Sequence, residues 1–175
     1  MELGAHSYGT INVRRWTSSE VVKIGKFCSL ASNIRIVLDG NHKMDTFSTY
    51  PFHEKFGWTE YPRGNWSKET PIIGNDVWIA DDVVIYSGCM IGDGAVIAGQ
   101  SVVTKSVPPY AVVAGNPARI VKYRFNPETI RELLEYKWWD LPLDVIRTRL
   151  IPHAGDMQAV LKELREIRQA TPDPN

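Results

Sequence analysis

From Pro71 to Pro108 the chain repeats in sixes. The units begin Ile73-Gly-Asn-Asp-Val-Trp, Ile79-Ala-Asp-Asp-Val-Val and Ile85-Tyr-Ser-Gly-Cys-Met. They continue Ile91-Gly-Asp-Gly-Ala-Val, Ile97-Ala-Gly-Gln-Ser-Val and Val103-Thr-Lys-Ser-Val-Pro. Every unit opens on Ile or Val, and the fifth place is small or β-branched: Val77, Val83, Cys89, Ala95, Ser101, Val107. A period of six matches neither a helix face nor an amphipathic strand, and a fixed repeat outranks any local reading. It describes a coil with three flat sides, each a short strand, with a tight turn at each corner. The first and fifth residues then face the lumen. Gly74, Gly92 and Gly94 are expected in or near the corners, where glycine tolerates positive φ. Asn75, Asp76, Asp81, Asp82 and Asp93 suit the same turns. Successive coils stack as parallel strands, so the expected class is mostly β, a parallel β-helix.

The same beat appears earlier as Ile24-Gly-Lys-Phe-Cys-Ser, Leu30-Ala-Ser-Asn-Ile-Arg and Ile36-Val-Leu-Asp-Gly-Asn, and stops at His42. Residues before Ile24 are poorly periodic; Ile11 to Val13 and Val21-Val22 are candidate strands of an irregular first coil. Between the beats lies a loop, 41–71, carrying Phe47, Tyr50, Phe52, Phe56, Trp58, Tyr61 and Trp66. Long loops inside a domain are functional or disordered, and this one is too aromatic for disorder. It is expected to be ordered and to pack on a neighbouring surface. Residues 1–125 are thus read as the β-helix domain with its inserted loop, and 126–175 as a helical extension of it. Asn126-Pro127 reads as an N-cap and first helical residue, with the helix running to about Tyr136. Leu143 to Leu150 is expected as a second helix. A third follows Asp156, with Met157, Val160, Leu161, Leu164 and Ile167 on one face. The last five residues read as a frayed tail.

Composition narrows the function classes. Twenty Lys and Arg balance twenty Asp and Glu, which gives no electrostatic reason to expect nucleic acid or an anionic membrane as partner. The start has no basic and apolar leader pattern, and no stretch approaches a membrane span; a cytoplasmic protein is expected. Cys28 and Cys89 both fall at the small inward place of a repeat and read as buried packing residues. His6, His42, His53 and His153 lack the close spacing that three ligands on one zinc require, so no metal is expected.

His42 stands out because histidine is the side chain best suited to act as a base near neutral pH. It lies in Gly40-Asn-His-Lys-Met-Asp45, followed by Ser48-Thr-Tyr-Pro-Phe52. Here the chain resembles the hexapeptide-repeat xenobiotic O-acetyltransferases of the chloramphenicol and streptogramin (virginiamycin) type. Their loop motif is similar to Asn-His-Arg-Met-Asp followed by Ser-Thr-Tyr-Pro-Phe. The resemblance continues in Val77-Trp-Ile79, Val103-Thr-Lys105, Ala114-Gly-Asn-Pro-Ala118 and Tyr136-Lys-Trp-Trp-Asp140.

The resemblance implies a left-handed β-helix and an acetyl-CoA-dependent O-acetyltransferase working as a homotrimer, with His42 as catalytic histidine. It places Trp78 near the reacting end of acetyl-CoA, and the amide of Ala80 or Asp81 near the thioester carbonyl, where an N–H stabilises an oxyanion. Small residues at Ala80, Ala98, Gly99, Ala114 and Gly115 let the pantetheine chain approach the backbone. Lys105, Arg119 and Lys122, with Thr104 and Asn116 nearby, are the expected partners of the CoA phosphates. Asp45, Phe47, Tyr50 and Trp58 are the expected acceptor-binding residues. Relatives of this type also acetylate sugars, so the small hydroxyl acceptor stays open between an antibiotic and a sugar. An amino-sugar N-acetyltransferase would use the same base. A non-enzymatic, partner-binding β-helix would leave the His42 loop and the Lys/Arg set without a role.

Overall fold

A computed structural model describes residues 2–16, 19–64 and 68–170. Trp66 and the tail after Ala170 lie outside the described residues. The chain divides into two compact units, Met1–Tyr123 and Arg124–Asn175.

The first unit is a parallel β-helix with three faces. One sheet stacks β1 (Glu2–Leu3), β3 (Lys23–Ile24), β6 (Ile72–Ile73) and β9 (Met90–Ile91). The second stacks β4 (Ser29–Leu30), β7 (Trp78–Ile79), β10 (Val96–Ile97), β12 (Ala111–Ala114) and β13 (Arg119–Tyr123). The third stacks β2 (Ile11–Arg14), β5 (Ile34–Val37), β8 (Val84–Tyr86) and β11 (Val102–Val103). The strands visit the faces in turn, and each coil bonds to the next through its backbone. Gly74 N–H donates to Ile91 O at 2.8 Å, and Val84 N–H to Ser101 O at 2.9 Å.

The six-residue beat is the reason for this geometry. Ile73, Ile79, Ile85, Ile91, Ile97 and Val103 are all buried in the lumen, as are Val77, Val83, Cys89, Ala95, Ser101 and Val107. In the five units from Ile73 to Val102 the fourth place turns the corner in the left-handed backbone region: Asp76, Asp82, Gly88, Gly94 and Gln100 all have positive φ, as do Phe27 and Asn33 in the earlier coils. This corrects the reading of two glycines. Gly94 has φ +68°, whereas Gly74 and Gly92 do not use positive φ. They are glycine because coils touch there: a Cβ on Gly74 would meet Asp93 Oδ1 at 2.6 Å, and one on Gly92 would meet Pro109 N at 2.5 Å.

The first coil is more regular than its sequence. β1 pairs in parallel with β3, and all four residues of β2 pair with β5. Val21 and Val22 stay outside the strands, although Val22 is fully buried. At the other end, β13 returns antiparallel along β12. Its residues are all exposed, so they bring no apolar alternation, and the inward beat ends with Val113.

The second unit is helical. α2 (Pro127–Tyr136) starts at Asn126, whose Oδ1 accepts the Thr129 N–H at 2.9 Å. Asn126→Ala should lower unfolding free energy by about 1 kcal/mol, measured by urea titration; an unchanged midpoint would show that the cap contributes nothing. The segment expected as one helix from Leu143 is instead a single turn, α3 (Leu143–Val145), that widens into a π-helical stretch over Ile146–Leu150. α4 (Met157–Ala170) follows, with Leu161 and Leu164 buried and Asp156 Oδ1 accepting the N–H groups of Gln158 and Ala159. α2 and α4 pack through a bidentate ion pair, Arg165 to Glu132 at 2.8 and 2.9 Å.

Candidate active site

The repeat breaks where β5 leaves the third sheet. The chain resumes at β6 in the first sheet, so the loop 41–71 emerges at the corner joining those faces, with His42 at its start. The loop folds on its own rings. Phe52, which opens α1 (Phe52–Phe56), stacks on Trp58 at 5.4 Å and 2° and meets Tyr61 edge-on at 5.2 Å. Phe47 and Tyr50 pack on it at 5.9 and 4.9 Å. Tyr61 OH donates to Thr46 Oγ1 at 2.8 Å and also bonds the Ser48 carbonyl. This tie fixes 46–48 and the following residue, Thr49.

Thr49 matters because its carbonyl oxygen lies 2.7 Å from His42 Nδ1. A carbonyl only accepts, so Nδ1 carries a proton and Nε2 of the neutral ring presents its lone pair. The imidazole is exposed and oriented by backbone. Asp45, the nearest carboxylate in sequence, is exposed on the loop and does not hold the ring.

The expected cofactor residues fall into three groups. Trp78 and Lys122 share an outward row of the second sheet, in register through Val96 and Val112. Three strand spacings separate them, roughly 14–15 Å. The turns Ala80-Asp81 and Ala98-Gly99 stack one coil apart at the corner after that sheet, where Gln100 N–H donates to Asp81 O at 2.9 Å. Lys105 and Arg119 line one groove of about 370 Å³ with Ser106 and Ala118. Arg119 Nη1 donates to Ala118 O at 2.9 Å. Thr104 is exposed beside Lys105, and Asn116 is exposed in the turn between β12 and β13. The ladder engages one of the two expected amide donors. Ala80 N–H donates to Ile97 O at 3.0 Å within the ladder, so it is not available to an oxyanion. Within one chain, His42 and the Trp78 row depart from different faces.

The cysteines are elsewhere. Both are free and buried in the lumen, and burial pushes both thiols up, which removes nucleophilic thiolate at neutral pH.

Residues 70–105 match the bacterial transferase hexapeptide family, six repeats. A probable macrolide acetyltransferase of Lysinibacillus sphaericus is 45% identical over 129 residues, 67% of this chain and 68% of that protein. The chain belongs to the hexapeptide-repeat xenobiotic acetyltransferases. A virginiamycin A acetyltransferase of Staphylococcus aureus is 45% identical over 157 residues, 85% of this chain and 69% of that one. The chain thus spans about two thirds of the length of these relatives. Among solved structures, a hexapeptide-repeat acetyltransferase from Vibrio cholerae complexed with acetyl coenzyme A has a TM-score of 0.55 and 28% identity, covering 71% of this chain and 60% of that one. Membership in this acyltransferase family implies that the three-sheeted coil winds left-handed. Among the described residues no helix is long and apolar enough to cross a membrane.

The sequence missed Thr49, Phe52 and Tyr61 as site-builders. Thr49 acts through its carbonyl, which no side-chain pattern reports. Phe52 and Tyr61 are visible only as members of an aromatic loop; their central place comes from the fold.

Proposed function

We propose that the protein is an acetyl-CoA-dependent O-acetyltransferase acting on a hydroxyl of an antibiotic or a sugar. The observation that carries this reading is the His42 ring held through Nδ1 by the Thr49 carbonyl at 2.7 Å. Nε2 takes the hydroxyl proton as the oxygen attacks the thioester carbonyl. The C–O bond forms, the C–S bond breaks, and the imidazolium returns the proton to the departing thiolate. No covalent enzyme intermediate is required. Acetyl-CoA lies along the outward row from Trp78 to Lys122, with its phosphates toward Lys105, Arg119 and Lys122. Of the two candidate amides, Asp81 N–H faces the developing oxyanion. Small residues at Ala98 and Gly99 allow pantetheine to run close to the backbone. Asp45, Phe47, Tyr50 and Trp58 line the acceptor side.

This assignment needs a second copy, because base and cofactor row sit on different faces of one prism. A homotrimer supplies it: each loop meets the cofactor row of the next chain. Ile72 and Met90, paired in register on the first sheet and 51% and 58% exposed, give that face the apolar surface an interface needs. Sedimentation at micromolar concentration should give about three times 19.8 kDa; a fully active monomer would refute the arrangement. The function itself is tested by CoA release from acetyl-CoA with streptogramin A, chloramphenicol and simple sugars as acceptors. Failure to bind acetyl-CoA at all would sink the reading.

A further inference from the structure

We propose that the acceptor carries an anionic group, a carboxylate or phosphate, which Arg14 and Arg35 bind on the outer face of the third sheet. The inference rests on the acetyltransferase reading above and names its substrate class.

Strand alternation decides which side chains face out. Ile34 and Ile36 of β5 are buried, while Arg14 of β2 and Arg35 of β5 are exposed. The register sets Asn12 beside Arg35, Arg14 beside Val37, and Val37 beside Tyr86. The two guanidinium side chains are therefore one strand apart and two residues along. They separate two hollows: about 380 Å³ toward Trp16, Val37 and Tyr86, and about 500 Å³ toward Asn12, Asn33 and Asp82. Asp82 lines the second hollow, yet among the described residues no carboxylate forms an ion pair with Arg14 or Arg35. Two neighbouring guanidinium groups repel each other unless an anion lies between them. Their planar forks fit carboxylate or phosphate oxygens pairwise. Trp16 and Tyr86, 65% and 42% exposed, offer ring faces to the body of such a ligand.

The hollow adjoins the base. Leu38 N–H donates to Arg14 O at 3.0 Å, and Trp16 N–H donates to Asp39 Oδ1 at 2.7 Å. A Cβ on Gly40 would meet the Trp16 ring at 2.9 Å. The wall formed by Trp16 is thus laid on the segment that runs into His42, whose Cα is at most about 7 Å from that of Gly40. A ligand against Arg14, Arg35 and Trp16 sits at the corner where the loop carries the base out.

Three matched probes test this: methyl glucoside, methyl glucuronide and glucose 1-phosphate. Each is measured by retention in equilibrium dialysis and by CoA release, on the full chain and on Arg14→Gln/Arg35→Gln. Both positions are exposed, and a melting curve checks that the variant folds. The expected result is that one or both anionic probes are retained at least about tenfold better than methyl glucoside, and that the double variant loses the difference. The uronate and phosphate arms show which anion is preferred. Equal retention of all three, or a preference unchanged by the double variant, overturns the inference while acetyl transfer to any acceptor keeps the enzyme reading. Anion retention without acetyl transfer to any acceptor would instead count against the enzyme reading.

Discussion

His42→Ala should lower kcat by about 10²–10⁴-fold and leave acetyl-CoA affinity nearly unchanged. A hydroxyl is a poor nucleophile until its proton leaves, and the imidazole is the group proposed to take it. The Thr49 carbonyl contact, 2.7 Å from Nδ1, holds the neutral ring in the tautomer that the proposed mechanism requires. Truncation removes the base but no proposed acetyl-CoA contact, so the loss belongs to the chemical step. The neutral ring is the active form. Burst-free single-turnover kinetics with saturating acetyl-CoA separates chemistry from product release. A variant that keeps most of its activity would remove His42 from the mechanism.

Much of this was legible before any coordinates, for a physical reason. A three-sided coil imposes the same demands every six residues, so the lumen positions Ile73 to Val107 announce themselves by repetition. What the repeat cannot report is contact between coils. Gly74 and Gly92 look like turn glycines, yet their missing Cβ atoms make room for Asp93 and Pro109 in the next coil. Likewise Ala80 looks like a free backbone donor at a small residue, whereas its N–H is committed to Ile97 O. The first coil hid for the opposite reason. β2 pairs fully with β5, but its inward residues Ile11 and Val13 are only partly buried, so the terminal coil sets a weaker pattern. The loop followed no repeat. Its aromatic content announced order, but only folding shows that Phe52 is the hub and that Tyr61 ties down the segment leading to Thr49. Arg14 and Arg35 are far apart in sequence and become neighbours because one coil stacks on the next.

Replacing Lys105 and Arg119 together with Ala should raise KM for acetyl-CoA by at least tenfold and change kcat much less. The two side chains come from different strands' ends, one after β11 and one opening β13, yet line one groove of about 370 Å³. Arg119 is partly oriented in advance by its bond to Ala118 O at 2.9 Å. Each charge-assisted bond to a phosphate contributes about 1.5–3 kcal/mol, and neighbours on one ligand do not add simply, so tenfold is the floor for the pair. Phosphates far from the thioester are bound alike in ground and transition states, which is why the effect belongs in KM. The wild-type KM should also rise with ionic strength, and the double variant should respond less. Competition by CoA and dephospho-CoA then isolates the 3′-phosphate. If the intact enzyme holds both equally well, the groove binds no 3′-phosphate; if the double variant also keeps its acetyl-CoA KM, the cofactor does not reach this end of the coil.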